Sequence, residues 1–435
     1  MRMPMICVDG HVRQFCRSFR SCFSRPQFQY FEIVLAGLLL WEGTKTLTAL
    51  LRTLVSSASL AGLSRFFGIA PWSTSAVATT WRQRFDHQLQ PAIATEQQRQ
   101  RTQRRPQRGC PPQPVVIGYL IGDDSTIAKP YAAKQAGLGW HHSTTAERRV
   151  WAHSLVQAVY HLLDRVCPVE PQLYRQQAVC ERDNVPFQSK IALMATIIRA
   201  FQPLAGTQTH VLLDSWYGAK QLWRAARDRG FLITTGLKSN RRLRVADPTI
   251  PQGWRWCALP EYVATLAAAD YQLRTWPGQD GAAREVYVHM VQTRVRTLYR
   301  CQVVIVRPTL DGPVSNARYW GSSDLRADPA TLLGHIAARW VIEQVFADTK
   351  ELLGLDQYQV LRGPAIVRWW TLVMATYALL DEERARLRQQ RQTHITLGEA
   401  RRAIQQRSWI NALLWLRDQI EDGPSIGVLV RQLAA

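Results

Sequence analysis

Two uninterrupted apolar runs, each stopped by aspartate, constrain this chain more than any other feature. Pro114-Val-Val-Ile-Gly-Tyr-Leu-Ile121 passes through Gly122 into Asp123-Asp124-Ser125-Thr126, and Thr209-His-Val-Leu-Leu213 runs into Asp214. Runs that are apolar at successive positions, not at alternate ones, predict strands buried on both faces. A carboxylate at the end of such a strand is held firmly yet reaches solvent. The surrounding pattern predicts further strands over Arg149–Leu163, Cys167–Tyr174 and Phe231–Gly236, and amphipathic helices over Phe187–Phe201 and Ala219–Arg229. Strands alternating with helices place the chain in the α/β class.

A third carboxylate sits in a different setting. In the segment from Arg339 to Gly354, Arg339, Glu343 and Lys350 recur at steps of four and seven, so one helical stripe carries all three. Val341, Ile342, Val345, Phe346, Leu352 and Leu353 supply the apolar side, and Gly354 stands where a helix C-cap belongs. Alone, the stripe reads as a solvated ion-pair face. With Asp124 and Asp214 at strand ends, Glu343 completes a trio of carboxylates able to hold two Mg²⁺ ions roughly 3.5–4 Å apart. Mg²⁺ takes a few carboxylates plus waters and phosphate oxygens, so three acids suffice. One ion would activate a water or 3′-hydroxyl and the other would stabilise the leaving oxygen.

Charge names the partner class. Fifty-four Lys and Arg against 33 Asp and Glu leave +21, which suits a polyanion gripped at many phosphates. Eight scattered cysteines without a Cys-x-x-Cys pair predict buried thiols, not disulfides or zinc. The longest apolar stretch, Ile33–Trp41, is far short of the roughly 18 residues a bilayer needs and reads as a core helix. With no apolar block and cleavage site near the start, the expectation is a cytoplasmic protein without membrane contact.

Along the chain, residues 1–96 read as a loosely ordered basic arm (1–30) followed by a helical DNA-binding domain. Its helices are expected over Phe31–Leu40, Lys45–Ser57 and Trp72–Phe85. Residues 97–113, centred on the Gln/Arg-rich stretch Gln97–Gly109, form a basic linker. The catalytic core spans 114–236 and 328–380, interrupted by a β-rich insertion over 237–327, and 381–435 is a helical C-terminal region. Asp328-Pro329 is a helix start, with an N-cap followed by proline at the first position.

These residues form a recognisable pattern. Asp214-Ser-Trp-Tyr-Gly218 before an amphipathic helix, then Gly236-Leu-Lys-Ser-Asn-Arg241, resembles the second-aspartate region of DDE transposases of the IS4-like and IS701-like insertion-sequence families. Arg339-x3-Glu343-x6-Lys350 resembles the last three positions of their Tyr-Arg-Glu-Lys signature, Leu353–Val360 its continuation, and Asp124-Ser-Thr their first-aspartate motif. The resemblance covers roughly residues 114–380. It implies an RNase H-like mixed sheet flanked by helices, with a β-rich insertion before the third acid and helical N- and C-terminal parts. It implies Asp124, Asp214 and Glu343 as catalytic residues and ligands of two Mg²⁺ ions, with Mn²⁺ as a substitute.

It also implies a transposase that binds terminal inverted repeats, cleaves there and joins the ends to target DNA, as a homodimer on double-stranded DNA. Arg339 and Lys350 are expected to grip phosphates, and Trp216 or Trp340 to stack on an unpaired base. Lys129, Lys134, Lys238, Arg241 and Arg242 are expected along the DNA backbone, and His141 and His142 read as surface residues. Of the adjacent pair Asp123 and Asp124, which must point to opposite faces of a strand, Asp124 fits the motif better. The signature tyrosine falls at Ile336, with Trp340 or His335 as stand-ins. Two alternatives stay open: an RNase H-like nuclease without strand transfer, and a catalytically silent DNA-binding derivative of a transposase.

Overall fold

The computed structural model describes residues 8–53, 58–103, 115–143, 146–277 and 283–422. Five helices come first: α1 (Gly10–Arg17), α2 (Arg25–Leu40), α3 (Leu47–Leu51), α4 (Leu60–Gly68) and α5 (Thr74–Gln103). The part of the expected loose arm that is described is packed, not loose. Asp9 caps α1 by accepting the His11 and Val12 amides, and Val12, Phe15, Cys16, Phe19 and Phe23 are buried. The Phe19 ring packs tilted against those of Phe15 and Phe31, with centroids 5.0 and 5.1 Å away. Helical spacing of these aromatics outweighs the basic charge around them. The expected linker also changes character: α5 runs unbroken through Pro91 to Gln103, while residues 104–113 lie outside the described residues.

The strands follow: β1 (Val116–Ala128), β2 (Gly139–Ser143), β3 (Arg148–Leu162), β4 (Arg165–Pro168) and β5 (Gln172–Tyr174). Next come α6 (Gln177–Asp183), α7 (Lys190–Ala200), β6 (Thr207–Leu213), α8 (Lys220–Asp228) and β7 (Leu232–Gly236). β1 is antiparallel to β3 and parallel to β6, which is parallel to β7, while β2, β4 and β5 line the far edge of β3. This is the mixed sheet flanked by helices that the resemblance implies, with β1 running on past Asp123 and Asp124 to Ala128. β1 and β6 sit at its centre, where both faces are covered.

The insertion comprises β8 (Arg242–Ala246), β9 (Trp254–Ala258), α9 (Leu259–Ala264), β10 (Gln272–Pro277), β11 (Ala283–Arg294), β12 (Arg300–Arg307) and β13 (Arg318–Ser322). β8 and β9 pair alone, but β13 adds to β7 antiparallel. The sheet therefore continues as β10-β11-β12-β13-β7-β6-β1-β3-β2. The segment is an extension of the main sheet and covers an edge that β7 would otherwise expose.

Four helices finish the described chain: α10 (Pro329–Ala338), α11 (Val341–Leu353), α12 (Gly363–Arg391) and α13 (Leu397–Asp422). Asp328 caps α10, accepting the Thr331 amide at 2.9 Å, and Gly354 ends α11 with φ +66°. The single helix expected around Arg339 is broken. Arg339 and Trp340 form a tight joint whose amides bond three residues back, to Ile336 and Ala337.

The first helices and the last ones share one layer. α12 is buried along most of its length, with Trp369 and Trp370 in the core, and Arg368 donates to the Phe67, Ala70 and Trp72 carbonyls. His11 and Arg84 pair with Glu382, and Arg407 with Asp9. Among the described residues no helix is long and apolar enough to cross a membrane.

Candidate active site

The alternation of β1 sorts its side chains between two helical layers. Tyr119 lies opposite His210 of β6, and its hydroxyl meets His335 Nδ1 of α10 at 3.0 Å. Odd-numbered residues of β1 therefore face α10 and α11. Gly122 lies opposite Leu213, and a Cβ there would strike Met194 of α7, so even-numbered residues face α7. Asp123 belongs to the first face and Asp124 to the second.

Asp214 follows directly on β6. Its Oδ1 accepts the amides of Trp216 at 3.0 Å and Tyr217 at 3.2 Å, which curls the chain into a tight turn. The turn crosses the end of β7 so closely that a Cβ on Gly236 would stand 2.7 Å from the Ser215 nitrogen. Only glycine fits there.

Arg339, at the joint between α10 and α11, spans two acids. Nη1 stands 3.5 Å from Asp123 Oδ2, and Nη2 pairs with Glu343 Oε1. Burial, together with the negative charge of Asp214, pushes the Asp123 carboxyl up to about 7, against the pull of the Asp124 amide and Arg339. Burial also raises Asp214, opposed by the Tyr217 and Trp216 amides and by Arg339. Two carboxyls desolvated side by side lower their energy by taking up protons or a cation.

That electrostatic demand and the hard oxygen donors fit Mg²⁺. Among the described residues, however, no three His, Cys, Asp or Glu side chains form a group able to hold an ion as they stand. Arg339 lies between two of the acids and engages both Glu343 and Asp123 through its guanidinium.

The expectation of Asp124 as first acid meets a different geometry. Both of its oxygens are engaged on the α7 face: Tyr217 donates its hydroxyl to Oδ1 at 2.9 Å, and the Lys190 ammonium pairs with Oδ2. It is Asp123 that shares a face with Arg339 and Glu343. Lys190 and Tyr217 escaped the sequence reading, although Tyr217 stands inside the Asp214-Ser-Trp-Tyr motif and Lys190 opens the expected amphipathic helix.

The expected DNA-contact residues divide. Trp216 is 53% exposed and lines a cavity of about 650 Å³ together with Lys220, Lys238 and Arg241. An adjoining cavity of about 340 Å³ adds Arg242 and Arg296, and no acid lines either one. Arg241 is braced by the Gly218 carbonyl and the Thr297 hydroxyl. Trp340 and Lys350 are partly buried, and burial lowers the Lys350 ammonium against the pull of Asp356.

Three expectations are corrected. Lys129 does not face solvent as a free cation: it donates to the Asp356 and Tyr358 carbonyls and lies over the Tyr358 ring. His141 is buried, not a surface residue, and desolvation with the nearby Lys190 charge lowers it to about 4. His335 cannot stand in for a DNA-facing tyrosine, being buried with its ring 4.3 Å from that of His210. Ile336 packs with Leu332, Leu333, Val286 and Val304, toward the insertion strands. Lys134 and His142 are exposed.

Two sequence-family models match the chain: one described as DDE superfamily endonuclease over residues 18–256, and one described as transposase DDE domain over residues 188–379. No curated protein matches it. Among solved structures, a piggyBac transposase synaptic complex with hairpin DNA is 10% identical, with a TM-score of 0.40, covering 97% of this chain and 82% of that one. The first model spans more than half of the sequence, and its range holds Asp123, Asp124 and Asp214 while the second holds Asp214, Arg339, Glu343 and Lys350. The chain belongs to the DDE superfamily of endonucleases.

Proposed function

We propose that this protein is a DNA transposase of insertion-sequence type, which binds terminal inverted repeats, cleaves a strand at each end and transfers the 3′-hydroxyls to target DNA. The observation that carries the reading is the face shared by Asp123, Asp214 and Glu343, with Arg339 set among them. In this reading Asp123 replaces Asp124 as first acid. Mg²⁺, or Mn²⁺ in its place, would be held by Asp123, Asp214 and Glu343 and would supply activation of water or hydroxyl and charge neutralisation at phosphorus.

The chain's own groups do the rest. Arg339 presents a planar fork suited to a phosphate, and on binding one it would release Glu343. Lys350, further along α11 on the same stripe, adds a point charge. Trp216, Lys238 and Arg241 offer an unpaired nucleotide a stacking surface beside positive charge, and stacking is worth roughly 1–3 kcal/mol per base. Trp340, at the joint, is placed to follow Arg339. Two DNA ends imply two copies of the chain on DNA.

The test is a cleavage and joining assay with the full chain, the DNA flanking its own reading frame, and Mg²⁺. Wild type should nick both ends and join them, whereas Asp214→Ala should do neither. Nicking without joining would establish a nuclease, and specific binding without nicking a silent derivative. Equal cleavage by wild type and Asp214→Ala would reject the proposal. Binding should weaken steeply between about 50 and 200 mM salt.

A further inference from the structure

We infer that Asp124, with Tyr217 and Lys190, is a positioning device that ties Asp123 and Asp214 together. The inference rests on the proposed reading of Asp123 and Asp214 as metal-holding acids. Asp124 is linked to both, to Asp123 directly and to Asp214 through Tyr217. Its backbone amide donates to Asp123 Oδ1 at 2.8 Å. Its carboxylate accepts the Tyr217 hydroxyl at 2.9 Å, and the Tyr217 amide in turn donates to Asp214 Oδ1 at 3.2 Å. A continuous chain of hydrogen bonds thus runs from Asp123 through Asp124 and Tyr217 to Asp214.

The surroundings make this chain stiff. Tyr217 is completely buried, so its ring cannot swing away from Asp124. Lys190 stands at the first position of α7, whose N-cap Ser189 accepts the Ala192 amide at 3.1 Å, and its ammonium occupies the second oxygen of Asp124. With one oxygen taken by a phenol and the other by an ammonium, Asp124 is fully committed before any ion arrives. Although paired with Lys190, its negative charge still acts through the strand and raises both Asp123 and Asp214. Asp123 lies within β1 and Asp214 just past the end of β6, one residue beyond the last β1–β6 pair, Gly122 and Leu213. The Asp124–Tyr217 hydrogen bond bridges the two segments beyond that pair.

Partners that orient metal-holding carboxylates commonly govern metal affinity by about 10–100-fold. Tyr217→Phe removes one oxygen and keeps the buried ring, and Asp124→Asn keeps the shape of the side chain. Calorimetric titration of the metal-free full chain with Mn²⁺ should show both variants binding at least about 10-fold more weakly than wild type. Hydrogen exchange should quicken at the Trp216 and Tyr217 amides, with thermal melting of Tyr217→Phe close to wild type. The Mn²⁺ concentration for half-maximal cleavage should rise in parallel, with the rate restored at saturating metal. The double variant should be no worse than the weaker single one, since both break the same link.

Unchanged Mn²⁺ affinity and exchange in Tyr217→Phe would overturn the inference. So would loss of cleavage in Asp124→Asn that no metal concentration restores, which would make Asp124 a ligand. Asp214→Asn separates the two levels: if it still cleaves, the proposed function fails, and if it is inert while Tyr217→Phe is normal, only the positioning role fails.

Discussion

Asp123 and Asp124 are neighbours on one strand, and they live in different chemistries. Asp123 faces α10 and α11, where burial and Asp214 push its carboxyl up to about 7 and a single guanidinium touches it at 3.5 Å. Asp124 faces α7, where a phenol and an ammonium satisfy both oxygens. One residue is left in want of positive charge and the other is already supplied with it. The lesson is that a carboxylate's capacity to take up a metal depends on what its face of the sheet leaves unpaired, more than on its place in a motif.

The sharpest way to break that contrast is to remove each acid in turn. Asp123→Ala and Asp214→Ala should each lower end cleavage by at least ~10³-fold, which corresponds to about 4 kcal/mol of transition-state stabilisation. Asp124→Ala should retain measurable cleavage at high metal. A reversed order, with Asp124→Ala dead and Asp123→Ala active, would exchange the roles of the two faces.

Arg339→Ala comes next. It frees Glu343 from its bridge but removes a phosphate fork, and the second effect should dominate, lowering cleavage roughly 10- to 100-fold with weaker DNA binding. If cleavage rises instead, the arginine serves mainly to hold Glu343 away from metal. Ile336→Tyr addresses the departure from the family signature. Because Ile336 packs among Leu332, Leu333, Val286 and Val304, a tyrosine there should cost about 1–3 kcal/mol in urea unfolding without improving cleavage.

The smallest effect concerns the helical layer, far from the acids. Burial alone would lower His11, but its hydrogen bonds to Glu382 and Glu383 outweigh this and raise it from 6.5 to about 9. Burial likewise opposes, and His11 together with Arg84, Arg386 and Arg407 outweighs, the effect on Glu382 and Glu383, which fall from 4.5 to about 2. The histidine's contribution is complete below pH about 6.5 and is lost as pH rises through about 9. That of the glutamates is complete above about 4.5 and lost as pH falls through about 2. Melting temperature should therefore fall between pH 6.5 and 9.5 in wild type, and less so in His11→Ala, while end cleavage measured at fixed pH is little changed by that substitution.

Much of the fold could be read in the residues. The apolar runs before Asp123 and Asp214 are central strands, Asp328 and Gly354 cap helices as their chemistry requires, and the β-like texture of 237–327 is a run of real strands. The described part of the arm is packed despite its basic charge, because charge is counted over a segment, whereas burial follows the spacing of a few aromatics such as Phe15 and Phe19. The break at Arg339–Trp340 left no glycine or proline to mark it. It is visible only where the amide bonds shorten to three residues.

The sequence alone determined the buried strands, the acids that follow their apolar runs, the excess of positive charge and the Arg-Glu-Lys stripe; it ended the first strand too early, because β1 stays paired to β3 as far as Ala128. Alternation along β1 also required Asp123 and Asp124 to point opposite ways. Which way each one points was decided by tertiary structure, because a strand's two faces are equivalent until helices cover them. Once α7 brings Lys190 to one side and α10–α11 bring Arg339 and Glu343 to the other, the two aspartates cease to be interchangeable.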